Sequence, residues 1–355
     1  MTEQLSAILN QLLNDQVHAG EIPGAVYAVV TGHDVLAEGA VGFAHLPKKL
    51  PMRLGTRFDL ASLTKVCATL PAILCLVEAG RVDFDDPLSR FFPETENSQL
   101  TLRHLLTHTS GFPPSFPFYQ YRMSKSKAAQ FIVSINHAVG QAVCYSDLNF
   151  ILLGMLVERL SGDPLEQFVQ KHIYQPLGMT HTGYCPNAPL TDFAATEWMT
   201  EEKDYRWGQV HDENAFYMKG VSGHAGLFSD LHDLAVYTQM LMNGGRFGNN
   251  QSLFSPALLA ACRRNYTERL GDARGFGWQL AGNDCTSAGY LLSPTSYGHT
   301  GFTGTSIWID PEAQLGFILL SNRVHISRSI NMNRIRRLFH NVARAQMAKE
   351  GGGAR

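Results

Sequence analysis

The stretch YGHTGFTGTSIWIDPEAQLGFILLSN, residues Tyr297 to Asn322, contains two strand-like runs, TSIWI and LGFILLS, separated by the turn-like DPEA. Runs rich in β-branched and aromatic residues, bounded by Gly, Pro and Asp, are read as neighbouring strands. The beginning of the chain mirrors this: IPGAVYAVVTG and DVLAEGAVGFAH flank a turn-like GHD and predict an antiparallel hairpin. Between the two ends the apolar spacing turns helical, in VCATLPAILCLVEAG, LRHLLTH, KAAQFIVSINHA, LNFILLGMLVERLSG, PLEQFVQKHI and HDLAVYTQMLMNGG. Strands at both ends and helices between them predict an α/β (α+β) protein, whose sheet is completed by the two termini and carries a helical insertion. Residues 1–80 and 266–345 are assigned to the sheet region and 81–265 to a mainly helical one. Residues 346–355, ending in GGGAR, are read as a disordered tail.

Two further helices should clothe the sheet. In MTEQLSAILNQLLNDQV, Leu5, Ile8, Leu9, Leu12 and Leu13 recur at helical spacing and predict an amphipathic helix docked on the body. The tract NRIRRLFHNVARAQMA should cover a sheet face. No repeat of 20 to 50 residues is present, which argues against a solenoid.

Composition narrows the function. The 355 residues fit two domains, or one large body with an insertion, and an apolar share of 45% is ample for a core. With 29 basic and 31 acidic residues there is no strong field to attract nucleic acid or an anionic membrane, so a small-molecule substrate fits better. Six scattered cysteines without a C-x-x-C pair read as free or buried thiols. The N-terminus lacks a basic region followed by a cleavage site, and the apolar run Val66 to Val77 falls short of the roughly 18 residues needed to cross a bilayer. As given, the chain reads as cytoplasmic without an integral membrane segment; a removed leader would make it periplasmic or extracellular. No motif specifies an oligomeric state.

Chemistry is concentrated at three points. In FDLASLTKV (Phe58 to Val66), Ser62 and Lys65 fall at i and i+3, so in a helix they share a face with Cβ atoms about 5–6 Å apart. The plain reading is a helix cap and a solvated first-turn lysine. The chemical reading is a serine nucleophile activated by a neighbouring lysine, since a free hydroxyl needs such a partner. In CYSDLNFILLGMLVERLSG, Ser146, Asp147 and Asn149 can cap a helix, while Tyr145 can share a proton with Ser62 and Lys65. In YGHTGFTG, His299, Thr300 and Gly301 are placed at the start of a strand, where glycine admits a substrate and a strand edge offers an N–H to an oxyanion.

The order S-x-x-K, then Y-S-D about 80 residues on, then H-T-G about 150 later, resembles the penicillin-recognising serine hydrolases. The nearer match is the class C β-lactamase and D-alanyl-D-alanine carboxypeptidase branch, with its esterase relatives, whose middle motif begins with tyrosine. LTLRHLLTHTSGFP, HIYQPLGMTHTGY and GVSGHAGLFSDLHDLAVY look like that branch too, so the resemblance runs from about residue 20 to about 325. It implies a β-lactamase/transpeptidase-like antiparallel sheet flanked by helices, with the active site in the cleft between sheet and helical region. It implies Ser62 as the acylated nucleophile and Lys65 as its activator, with Tyr145 as the proton shuttle to the leaving group. The N–H groups of Ser62 and Phe302 would form the oxyanion hole, and His299, Thr300, Gly301 and Asp147 would face the substrate. No metal or organic cofactor is implied.

Two departures bear on specificity. Asp147 replaces the asparagine found in many members, giving a carboxylate able to pair with Lys65. His299 replaces the usual lysine, and imidazole, with a pKa of about 6.5, is mostly neutral at pH 7 and grips a carboxylate less firmly. This shifts weight from efficient β-lactam hydrolysis to esterase, peptidase or amidase activity, against the alternative of a slowly acylating penicillin-binding sensor. Ser146-Asp147 overlaps the S-D-N pattern and makes Ser146 a competing hydroxyl, though the E-x-x-L-N element of class A enzymes is missing. His104 and His108, at i and i+4, have zinc-ligand spacing without the H-E-x-x-H glutamate. WGQVHDENA, Trp207 to Ala215, reads either as a polar surface loop or as a cleft-lining one. With GHAGLFS it resembles a muropeptide-recycling subgroup.

Overall fold

The computed structural model describes residues 2–249, 251–282 and 286–351. Its framework is a seven-stranded antiparallel sheet. From one edge to the other the strands are Gln279–Leu280, Tyr297–Thr300, Ser306–Asp310, Leu315–Ser321, Gly24–Val30, Val35–His45 and Leu50–Pro51. The two ends of the chain meet at its centre, where Ala25 to Val30 pair with Ser321 to Gly316. Both predicted hairpins are present.

The central strands are buried on both faces, and the period-two rule divides their side chains. Val26, Ala28, Val30, Ile307, Ile309, Ile318 and Leu320 join the large core beneath the helical region. Ala25, Tyr27, Val29, Trp308, Phe317 and Leu319 point the other way, against Leu5, Leu9 and Leu13 of helix Thr2–His18 and Ile335, Phe339 and Ala343 of helix Met332–Gly351. The buried Tyr27 hydroxyl donates to Ser6 O and Asn10 Oδ1, each at 3.0 Å. The first helix is therefore tied to the sheet by polar contacts as well as by apolar area.

Three boundaries differ from expectation. Helix Leu231–Met242 lies in the span assigned to the helical region but packs on the two central strands; its buried Leu234, Tyr237 and Leu241 share one core with them. The tail expected from residue 346 is helical to Gly351, because Ala343 and Met347 continue the apolar stripe of that helix; residues 352–355 lie outside the described ones. His299 and Thr300 end a strand and do not begin one, since Gly301 to Gly304 reverse the chain into Ser306–Asp310. Cys67, Cys75, Cys144, Cys185 and Cys262 are free, and Cys285 lies outside the described residues. The segment Ala61–Glu78 is apolar enough over 18 residues to cross a membrane by composition, but 78% of it is buried in the core.

Candidate active site

Ser62 and Lys65 are not on a regular helix. Ala61–Leu63 form a 3₁₀ turn, Lys65–Thr69 a π turn, and the α-helix begins only at Leu70–Glu78. Pro71 is tolerated because its missing N–H falls in the first turn of that helix. Ala61 has φ +46°, a conformation that costs a non-glycine residue of order 1–3 kcal/mol and persists where surroundings impose it. The carboxylate of Asp59 imposes it here: Oδ1 accepts the Ala61 N–H at 2.8 Å and Oδ2 accepts the His211 N–H at 2.6 Å. Asp59 is fully buried, and desolvation raises its pKa despite these two bonds.

Ser62 does not cap this turn through its side chain; its Oγ lies 2.9 Å from Lys65 Nζ. The lysine is fully buried, and its Nζ also donates to Asp147 Oδ1 at 2.7 Å and His224 O at 3.1 Å. Burial alone would lower the Lys65 pKa, but the Asp147 carboxylate and then Tyr145 outweigh it and hold the group above its ordinary 10.5. At neutral pH Lys65 is thus an ammonium aimed at the serine oxygen. Lys65 Nζ stands 5.0 Å from the centre of the Tyr145 ring, which lines the same cleft.

The second motif separates its roles. Ser146 is the cap of helix Asp147–Ser161: its Oγ accepts the Leu148 N–H at 3.2 Å and donates to Pro113 O at 2.6 Å. That buried hydroxyl is committed to the backbone, which removes Ser146 as the working group. His108 supports this motif. Its Nδ1 accepts from the Ser146 N–H and from Asn149 Nδ2, both at 3.1 Å, and its ring lies 4.5 Å from that of Tyr145. Burial, then Arg274, Lys65 and His299, push its pKa far down, so it is neutral. His104 is spent on the start of helix Leu102–Leu106, in a capping box with Thr101.

Across the cleft, His299 Nδ1 lies 2.9 Å from Thr300 O. A carbonyl only accepts, so Nδ1 carries the proton and the neutral ring leaves Nε2 as a bare acceptor. Burial, Lys65 and Arg274 push the His299 pKa well below 6.5. Gly301 is required beside it: a Cβ there would meet Thr305 Oγ1 at 2.1 Å and Leu60 O at 2.4 Å. Thr303 Oγ1 and Thr305 Oγ1 donate to Asp59 O and Leu60 O, at 2.9 and 3.0 Å. These ties hold Phe302 close to the turn that carries Ser62, and both residues line the cleft.

That cleft has a volume of about 1000 Å³. It brings together Ser62, Tyr145, Asp147, His299, Thr300, Gly301 and Phe302, with Lys65 buried behind them. It also contains groups that the sequence did not single out. Phe116 and Tyr119 form an aromatic wall, and Arg274, Arg323, Arg328 and Arg336 supply positive charge. Arg274 is paired with Asp272, and Arg328 with Glu197 and Glu213. Arg336 is nearly buried and bonds only to Gly301 O, Thr305 O and Asn333 Oδ1 among the described residues. The HDEN residues of WGQVHDENA line the cleft as well. Nothing in these spacings marked the arginines, since Arg274 and Arg328 come from separate loops, Arg323 from a 3₁₀ turn and Arg336 from the last helix.

Comparisons with known proteins bear on the family and the fold. A family model described as Beta-lactamase matches residues 9–341. A "Putative D-alanyl-D-alanine carboxypeptidase" from Salmonella agona is 34% identical over 360 residues, covering 89% of this chain and 82% of that protein. One of the same description from Salmonella schwarzengrund is 35% identical with the same coverage. Among solved structures, EstCE1, a hydrolase with promiscuous acyltransferase activity, superposes with a TM-score of 0.76 at 21% identity, over 95% of this chain and 99% of that one. A penicillin-binding protein homologue from Caulobacter crescentus gives 0.76 at 19% identity, over 96% and 97%.

Proposed function

This chain belongs to the beta-lactamase family and is a serine hydrolase of that type, and from that premise we propose that it cleaves an amide or ester through an acyl-enzyme on Ser62. The observation that carries this reading is the 2.9 Å contact between Lys65 Nζ and Ser62 Oγ, with Tyr145 beside them. An ammonium cannot take the serine proton. Lys65 instead donates a hydrogen bond to Oγ and stabilises the negative charge that grows there. Ser62 Oγ bonds to the substrate carbonyl carbon, and its proton passes to the Tyr145 oxygen as the Tyr145 hydroxyl proton passes to the leaving nitrogen or oxygen. The phenol ends the step as it began. The carbonyl oxygen, briefly anionic, is held by the Ser62 and Phe302 N–H groups. Water then repeats the relay in reverse and releases the acid.

Substrate class follows from two sets of side chains that line the cleft. Phe116 and Tyr119 suit an apolar acyl portion, and the guanidinium groups of Arg323 and Arg336 suit a carboxylate that neutral His299 cannot grip. A peptide ending in D-alanyl-D-alanine has both features, and the carboxypeptidase name of the 34%-identical relatives supports it. A small neutral ester is the second reading, favoured by the bare acceptor at His299. Turnover of a D-alanyl-D-alanine peptide, its C-terminal amide, p-nitrophenyl esters and nitrocefin separates them. The peptide should exceed its amide by about tenfold or more in kcat/KM, the worth of one charge-assisted contact. Equal rates on both, with faster ester cleavage, would reject the carboxypeptidase reading.

A further inference from the structure

The stretch His211–Asn214 ties four segments around the cleft together with four consecutive residues. The His211 N–H reaches Asp59 under the Ser62 turn, Asp212 reaches His224, Glu213 reaches Arg328, and Asn214 bonds to the backbone of Phe116 and Tyr119. The Asp212 contact leads to the reaction centre. An ammonium has three N–H donors, and those of Lys65 go to Ser62 Oγ, Asp147 Oδ1 and His224 O. The third acceptor is a backbone carbonyl, so its place depends on what holds its loop.

That loop is held by its own imidazole. His224 is buried, with Nδ1 2.8 Å from Ser222 Oγ and Nε2 2.8 Å from Asp212 Oδ1. Asp212 is fixed in turn, because Oδ1 also accepts the Ala215 N–H at 2.8 Å as the cap of helix Glu213–Tyr217. Gly223 lets the loop lie flat on helix Asp147–Ser161, since a Cβ there would meet Phe150 O at 2.1 Å. The ligand atoms of Asp147, Asp212 and His224 lie within 4.8 Å of one another, a spacing a metal ion could use. Lys65 Nζ already supplies a cation to this group, bonded to Asp147 Oδ1 and to the His224 carbonyl.

We propose that Asp212 is a positioning residue: by clamping the His224 imidazole it fixes the carbonyl that takes the third N–H of Lys65, and so aims the ammonium at Ser62. The inference rests on Ser62 being the nucleophile. It predicts an effect on the rate of acylation and little effect on substrate affinity, because Asp212 acts through His224. Misplacement of a catalytic group by about 1 Å costs on the order of a hundredfold. Replacement by asparagine keeps an oxygen that accepts from both His224 Nε2 and Ala215 N–H, whereas alanine removes it.

The test measures second-order acylation of Ser62 by a fluorophosphonate, with kcat and KM on the best ester, in wild type, Asp212→Ala and Asp212→Asn. Asp212→Ala should acylate about 10- to 100-fold more slowly with KM changed less than about threefold, and Asp212→Asn should recover to within about threefold of wild type. Adding His224→Ala to Asp212→Ala should cost little more, as expected of one coupled unit. Wild-type rates in Asp212→Ala, or an Asp212→Asn as slow as the alanine variant, would overturn the proposal. If Asp212→Ala does not fold, Ser222→Ala removes the other clamp and must slow acylation at least about fivefold, or the proposal fails. A crystal structure of Asp212→Ala, or of Ser222→Ala in that event, reads the point without turnover: Lys65 Nζ should leave the His224 carbonyl, and an unchanged contact would contradict the inference. Absence of any adduct on wild-type Ser62 would instead reject the hydrolase mechanism itself.

Discussion

On the helical wall of the cleft the Lys65 ammonium has three acceptors, and Ser146 and Asn149 both bond to His108 behind Tyr145. On the strand wall, His299 Nε2 and Arg336 Nε are buried without a hydrogen-bond partner among the described residues, in side chains that line the cleft; His108 Nε2 is unpaired as well, but His108 does not line the cleft. A buried polar atom left unpaired costs about 1–3 kcal/mol. The contrast assigns the walls different work: one is arranged in advance around Ser62, and the other keeps bonding capacity that a substrate can fill.

Breaking the prearranged wall should have the largest effect. Tyr145→Phe removes the proton relay while keeping the ring against His108, and kcat should fall about 10²- to 10⁴-fold, the usual share of general acid–base catalysis, with the fold intact by circular dichroism. A fall of less than about fivefold would move the relay to another group. Asp147→Asn keeps an acceptor for Lys65 but removes the main charge that holds its pKa above 10.5. The alkaline limb of the kcat/KM profile should therefore move toward neutral pH, and an unmoved limb would show that Asp147 does not govern Lys65.

Changing the open wall should alter choice more than rate. His299→Lys replaces a bare acceptor by a donor cation, and the ratio of nitrocefin to p-nitrophenyl ester turnover should rise by about tenfold. A constant ratio would mean that this position does not meet the substrate.

The smallest effect concerns stability. Burial holds His108 and His299 well below 6.5, and holds His340, buried against the sheet, down to about 3. The unfolded chain takes up protons near pH 6.5 that the folded one refuses. Stability is therefore complete above that pH and falls as pH drops from 6.5 toward about 3. Thermal scans should show a Tm lower by roughly 5 °C or more at pH 5 than at pH 7, and His340→Gln should lessen the slope. A flat Tm over this range would contradict the burial of these rings as neutral groups.

The framework was legible because its signals are local: the paired runs at Gly24–Val30 and Leu315–Ser321 announce strands, and Phe339 sits on a helical stripe. Ser62, Lys65, Tyr145 and the His299 triplet were legible as ordered motifs. Asp147 beside Lys65 was anticipated from the departure at that position. What was not legible depends on contacts between distant segments. Asp59 was inside the quoted motif, yet its work is to receive a backbone N–H from residue 211. The i, i+4 spacing of His104 and His108, set aside as a zinc pair for want of the glutamate, did not show what the two rings do: one caps a helix and the other backs Tyr145. The π turn at Lys65–Thr69 leaves no mark in apolar spacing, because all five residues are buried.

The central claim is a covalent intermediate on one serine, and intact-protein mass spectrometry after incubation with a fluorophosphonate or a reactive penicillin tests it directly. We predict a single adduct, mapped by peptide sequencing to Ser62, that is lost in Ser62→Ala together with turnover. An adduct on any other residue, or turnover unchanged in Ser62→Ala, would contradict it.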